Sequence, residues 1–110
     1  MDKSKIAEAN KRKHKIDRLA KKMTEENGLD EAINRAYIEV VGVEYATAED
    51  CEEAYSGEYS SDEEFTQQLL EDCGTIPQDL PAYIYIDWER TAGDVMMDYT
   101  EQDGYYFRNL

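Results

Sequence analysis

Leu29-Asp30-Glu31-Ala32-Ile33-Asn34-Arg35-Ala36-Tyr37-Ile38-Glu39-Val40-Val41-Gly42 is the stretch that decides the class of the fold. Its last residues, Tyr37-Ile38-Glu39-Val40-Val41, are alternating and rich in β-branched side chains, and alone they read as a strand. Over the longer window Leu29, Ala32, Ile33, Ala36, Tyr37, Val40 and Val41 recur at i, i+3, i+4 and i+7, which gathers them on one helical face. Asp30 and Glu31 suit the start of a helix and Gly42 its end. The segment is therefore predicted helical. The chain is read as α+β and predominantly α-helical, a small helical domain with a short antiparallel β element near the C-terminus.

Upstream, residues 4–26 read as one charged helix. Ser4 can cap it, Ile6, Ile16, Leu19, Ala20 and Met23 form a thin apolar stripe, and Asn27-Gly28 ends it. Downstream, Thr47-Ala48-Glu49-Asp50 has the spacing of a capping box, with Asp in place of Glu or Gln, and Gly57 is a candidate stop. Ser61-Asp62-Glu63-Glu64 is a full capping box, and Gly74 closes the helix that carries Phe65, Leu69, Leu70 and Cys73. Pro77 to Pro81 reads as loop, and Tyr83-Ile84-Tyr85-Ile86 as a short strand. Asp87 is expected to cap a helix with Trp88, Thr91, Ala92, Val95, Met96 and Tyr99 on one face. Asp103-Gly104 then turns into a terminal strand, Tyr105-Tyr106-Phe107.

A length of 110 residues suits one domain with an appendage, and nine tyrosines, Trp88 and two phenylalanines argue for a packed core over disorder. Charge divides the chain. Residues 1–27 hold nine Lys/Arg against five Asp/Glu, a balance of +4; residues 28–110 hold three against 21, a balance of −18; the total is −14. The expected domains follow that line: a basic helix, 1–27, and an acidic domain, 28–110. A surface of one sign repels itself, so something other than folding favours it.

Several chemistries have no residues to carry them. The one histidine, His14, sits in the run Lys11-Arg12-Lys13-His14-Lys15, which leaves the acidic domain without a His-based triad or a His-rich metal site. No phosphate-cradling glycine loop occurs. The nearest approach to a calcium loop, Asp98 to Asn109, lacks the required glycine and ends in Asn109 instead of a bidentate Glu. Neither an enzyme nor a cofactor or metal is expected. Cys51 and Cys73 read as small reduced residues, and without a signal peptide or membrane span the expected location is the cytoplasm.

Negative charge is the positive signal. Glu49, Asp50, Glu52, Glu53, Glu58, Asp62, Glu63 and Glu64 place eight acids in 16 residues. At a helical rise of about 1.5 Å that is one charge per about 3 Å, close to the roughly 3.4 Å phosphate spacing along one strand of B-DNA. Asp87, Glu89 and Asp94 extend the field as secondary phosphate substitutes. Such a surface fits a groove built for DNA. A solvated face that only keeps the protein soluble remains the alternative on composition alone.

Ala54-Tyr55-Ser56-Gly57-Glu58-Tyr59 followed by Ser61-Asp62-Glu63-Glu64-Phe65 resembles a segment of the ArdA antirestriction proteins. Tyr85-Ile86-Asp87-Trp88-Glu89, Ala92-Gly93-Asp94, Asp98-Tyr99 and Gly104-Tyr105-Tyr106-Phe107-Arg108 look like the same family, in the same order, over residues 29–110. The resemblance implies a DNA mimic of mobile elements, phage included, that inhibits type I restriction-modification enzymes, acts as a homodimer through its C-terminal domain and uses no cofactor. From the charge balance no direct contact with nucleic acid is expected, and from the lack of a long apolar stretch no membrane. ArdA proteins begin with a further acidic domain, and here the basic helix stands in its place. An anti-CRISPR inhibitor with the same acidic surface, or an acidic adaptor on a DNA-processing protein, are the alternative functions. The basic helix can dock on acidic surface of its own chain or a dimer partner, contact another protein, stay solvated, or touch nucleic acid.

Overall fold

α1 (Lys3–Asn27) is a helix held by the C-terminal part of its predicted stripe. Ile16, Ala20 and Met23, at i, i+4 and i+7, are buried, whereas Ile6 is exposed. The computed structural model describes residues 3–77 and 79–110, and the side chain of Ser4, read above as a cap, lies outside the described residues. Gly28, at φ +73°, ends α1 with its N–H bonded to the Thr24 carbonyl at 2.9 Å.

The chain resolves into two compact units, one running up to Tyr55 and joined by Leu110, the other Ser56–Asn109. In the first, α1 packs against α2 (Glu31–Val41) and α3 (Ala48–Ala54). α2 is helical as its long-window periodicity predicts: Ile33, Ala36, Tyr37 and Ile38 are buried, and Gly42 at φ +95° closes it. Asn34, on the same helix, is fully buried as well. Its Nδ2 donates to Thr24 Oγ1 at 3.0 Å and its Oδ1 accepts from Asn27 Nδ2 at 2.8 Å. Asn27 Nδ2 also donates to the Ala48 carbonyl at 3.1 Å, so one amide pair ties all three helices. A buried polar group is stable only when bonded in this way.

In the second unit, β1 (Tyr55–Glu58), β2 (Tyr99–Gln102) and β3 (Tyr105–Arg108) form a sheet of order β1-β3-β2. β2 and β3 are an antiparallel hairpin with Tyr99 opposite Arg108 and Gln102 opposite Tyr105. Asp103 at φ +54° and Gly104 at φ +87° form the two-residue turn, the two positive φ values that a tight hairpin requires. α4 (Asp62–Asp72) packs against α5 (Trp88–Val95). Phe65 of α4 stacks on Tyr106 of β3, ring centroids 4.4 Å apart, and meets Tyr99 edge-on at 4.9 Å.

Three expectations are corrected. Tyr83–Ile86 is no strand: it joins none of the three strands of the sheet, and Tyr83 and Tyr85, 80% and 87% exposed, give it no buried face to pack. Gly57 does not stop a helix. α3 ends at Ala54, and Gly57 lies within β1 at φ +118°, recruited by the ladder that β3 offers. α5 ends at Val95 instead of reaching Tyr99, because residues 99–102 pair with β3 across the Asp103-Gly104 turn.

Candidate functional site

The two units differ in charge. The chain up to Tyr55 has ten Lys/Arg against thirteen Asp/Glu, a balance of −3, and Ser56–Asn109 has two against thirteen, a balance of −11. The acid run from Glu49 to Glu64 is therefore split. Glu49, Asp50, Glu52 and Glu53 stand on α3 in the first unit; Glu58, Asp62, Glu63, Glu64, Asp87, Glu89 and Asp94 belong to the second.

α3 sorts its residues by helical spacing. Ala48, Cys51 and Ala54 are buried, and Glu49, Glu52 and Glu53, at i, i+3 and i+4, occupy the opposite, exposed face. Thr47 caps the helix by accepting from the Asp50 N–H at 3.1 Å, as its position predicts. Glu49 and Asp50 sit in the first turn, where the helix dipole favours negative charge. Their field reaches inward: burial first, then the charges of Asp50 and Glu53, push the Tyr37 hydroxyl up from 10.0.

α4 starts with Ser61 accepting from the Glu64 N–H at 3.1 Å. The reciprocal half of the capping box is displaced by one residue: the Glu64 carboxylate accepts from the Ser60 N–H at 3.0 Å and from the Ser60 hydroxyl. Those two hydrogen bonds, the hydroxyl's first, hold the Glu64 carboxyl below its usual range. Asp62 accepts from the Tyr106 hydroxyl at 2.6 Å, and Asp87 caps α5 by accepting from the Arg90 N–H at 3.1 Å. Asp62, Glu64 and Asp87 thus carry charge and also hold local structure, a double duty that capping positions foretell for Glu64 and Asp87 but not for Asp62.

Nine of the eleven acids are exposed and two, Asp50 and Glu63, are half-buried. The ion pairs Arg12–Glu39, Arg35–Asp17 and Arg35–Glu31 involve none of them. On α5, Glu89 and Asp94 share the exposed side with Arg90, so that surface is mixed in sign. Glu101, which the sequence reading gave no distinct role, accepts from the Gly104 N–H at 2.6 Å and braces the hairpin turn. Among the described residues, no three His, Cys, Asp or Glu side chains converge where a metal ion could sit, and no helix is long and apolar enough to cross a membrane.

The sequence model of a family described as antirestriction protein (ArdA) matches residues 4–107. That match begins inside α1 and so carries the likeness beyond residues 29–110, over the basic helix. No curated protein and no solved structure matches the chain.

Proposed function

This chain belongs to the ArdA family of antirestriction proteins, and on that premise we propose that it is a DNA mimic whose carboxylates occupy the DNA-binding groove of a type I restriction-modification enzyme. The observation that carries the reading is the exposure of the acids on α3, α4 and α5 together with the −11 balance of Ser56–Asn109. A groove lined with Lys and Arg holds condensed anions when empty, and a protein polyanion releases them as DNA does. Long-range attraction between opposite fields also raises the rate of encounter. The protein acts in stoichiometric amount, without catalysis and without a cofactor, as a homodimer in the bacterial cytoplasm.

Charge reversal tests this directly. Glu49, Glu52, Glu58 and Glu63 are chosen because no cap or turn described above rests on their side chains. A quadruple Glu→Lys variant at these positions is expected to lose protection of unmodified DNA against a type I enzyme, while each single reversal keeps most of it, because the attraction is a sum over many charges. Full protection by the folded quadruple variant contradicts the mimic. Protection against a CRISPR complex and not against restriction would move the target to that class.

A further inference from the structure

Asn27 ties α1 to α2 and α3 through its side-chain amide, and the residue that follows it is Gly28. The joint is therefore also a chemical liability. Asparagine is thermolabile because the backbone nitrogen of the next residue can attack its side-chain carbonyl carbon. Glycine favours that attack, since no Cβ crowds the nitrogen and the backbone turns freely. Of the four asparagines, Asn10, Asn34 and Asn109 precede Lys11, Arg35 and Leu110, and only Asn27 precedes a glycine. The space beside Gly28 is open: a Cβ there would meet nothing within 4 Å.

In the folded unit the reacting atoms are held. The Gly28 N–H, whose nitrogen would attack, is bonded to the Thr24 carbonyl at 2.9 Å. Asn27 Oδ1 accepts from the Leu29 N–H at 3.0 Å and from Asn34 Nδ2 at 3.2 Å. Asn27 Nδ2, which would leave, donates to Asn34 Oδ1 at 2.8 Å and to the Ala48 carbonyl at 3.1 Å. Attack requires the side chain and backbone of Asn27 to rotate out of this arrangement, and the hydrogen bonds oppose it.

We propose that Asn27 is a modification site, protected while the first unit is folded and deamidated when it opens, so that a prolonged opening becomes permanent. The Gly28 nitrogen forms a bond to Asn27 Cγ and the Cγ–Nδ2 bond breaks. The proton from the Gly28 nitrogen leaves with Nδ2 as ammonia. Water then opens the cyclic imide at either carbonyl, which yields an aspartate or an isoaspartate, and nothing is oxidised or reduced. Either product ends the joint. A carboxylate at position 27 has no N–H to donate, so the Asn34 amide oxygen and the Ala48 carbonyl lose their donor and face a negative charge. Asn34 is fully buried, and an unpaired polar group there is costly. The isoaspartate also adds a methylene to the main chain at the last residue of α1. The inference concerns the first unit alone and stands apart from the function proposed above.

Incubation of the full chain at mildly alkaline pH, in buffer and in guanidinium chloride, is the test. Mass spectrometry with fragmentation of the tryptic peptide 23–35 separates Asn27 from Asn34. In denaturant, position 27 is expected to deamidate before the other asparagines. In buffer it should do so about a hundredfold more slowly or less, because a folded unit opens for only a small fraction of the time. After removal of denaturant, the share of helical circular dichroism that fails to return should match the deamidated share. An Asn34→Ala variant, first shown by circular dichroism to be folded, should deamidate in buffer about tenfold faster than the wild type, having lost two of the restraining hydrogen bonds. Equal wild-type rates in buffer and denaturant overturn the inference whether or not the variant folds. So do another asparagine reacting first in denaturant, deamidated chains that refold completely, and a folded variant that reacts no faster.

Discussion

The Tyr106 hydroxyl donates a 2.6 Å hydrogen bond to Asp62 Oδ1 across 44 positions of sequence, and so ties the first turn of α4 to the central strand β3. Asp62 is thereby fixed in place as well as charged. Burial first, and then this bond, push the Tyr106 phenol above its ordinary 10.0. Because the folded value lies above the unfolded one, the associated stability is complete below pH 10 and declines as pH rises from there towards the folded value. Tyr106→Phe is expected to cost about 0.5–1.5 kcal/mol at neutral pH, the usual worth of one hydrogen bond. It should also flatten the alkaline decline. Urea unfolding from pH 7 to pH 11 measures both, and an unchanged alkaline slope would remove Tyr106 as its source.

Gly57 sits in β1 at φ +118°, and a Cβ there would lie 2.7 Å from the Tyr59 ring. That ring cannot swing away without disturbing its contacts with Phe65 and Tyr106, at 5.4 and 5.9 Å between centroids. Gly57→Ala therefore combines backbone strain with a clash, and a loss of about 1–3 kcal/mol is expected. Thermal unfolding that shifts by less than a degree would show that β1 accommodates the methyl group.

The two thiols should react at very different rates. Cys51 is fully buried on α3, and burial pushes its thiol up from 9.0 to about 12. Cys73 is exposed at the end of α4. A thiol reagent at neutral pH is expected to label Cys73 in the native protein and Cys51 only on unfolding, since the thiolate is the reactive form. Mass spectrometry of the labelled peptides distinguishes them, and early labelling of Cys51 would mean that α3 opens readily.

Helices were legible wherever a cap and a long periodic window agreed. Thr47, Ser61 and Asp87 each cap as their types and positions predict. The window from Leu29 to Gly42 outweighed the strand-like Tyr37–Val41 because a helix repeat needs three turns to declare itself. Strands were less legible, since a strand is made by its partner. Tyr83–Ile86 has the composition but pairs with no strand of the sheet, while Tyr55–Glu58 and Tyr99–Gln102 have weaker composition and β3 beside them. The burial of Asn34 was not legible, because nothing local announces the amide of Asn27, seven positions away. The acids of the candidate surface could be named from sequence, being exposed by their nature. The hydrogen bond that fixes Asp62 could not, since it depends on Tyr106, and for Glu64 the capping position foretold a bond but not its one-residue shift to Ser60.

Competition between this protein and DNA for a purified type I restriction enzyme, titrated across a salt series, reaches the central claim most directly. If the carboxylates stand in for phosphates, the protein displaces the duplex to completion, and log affinity falls linearly with log salt for the protein as it does for DNA. A ternary complex of enzyme, DNA and protein, or an affinity indifferent to salt, would contradict it.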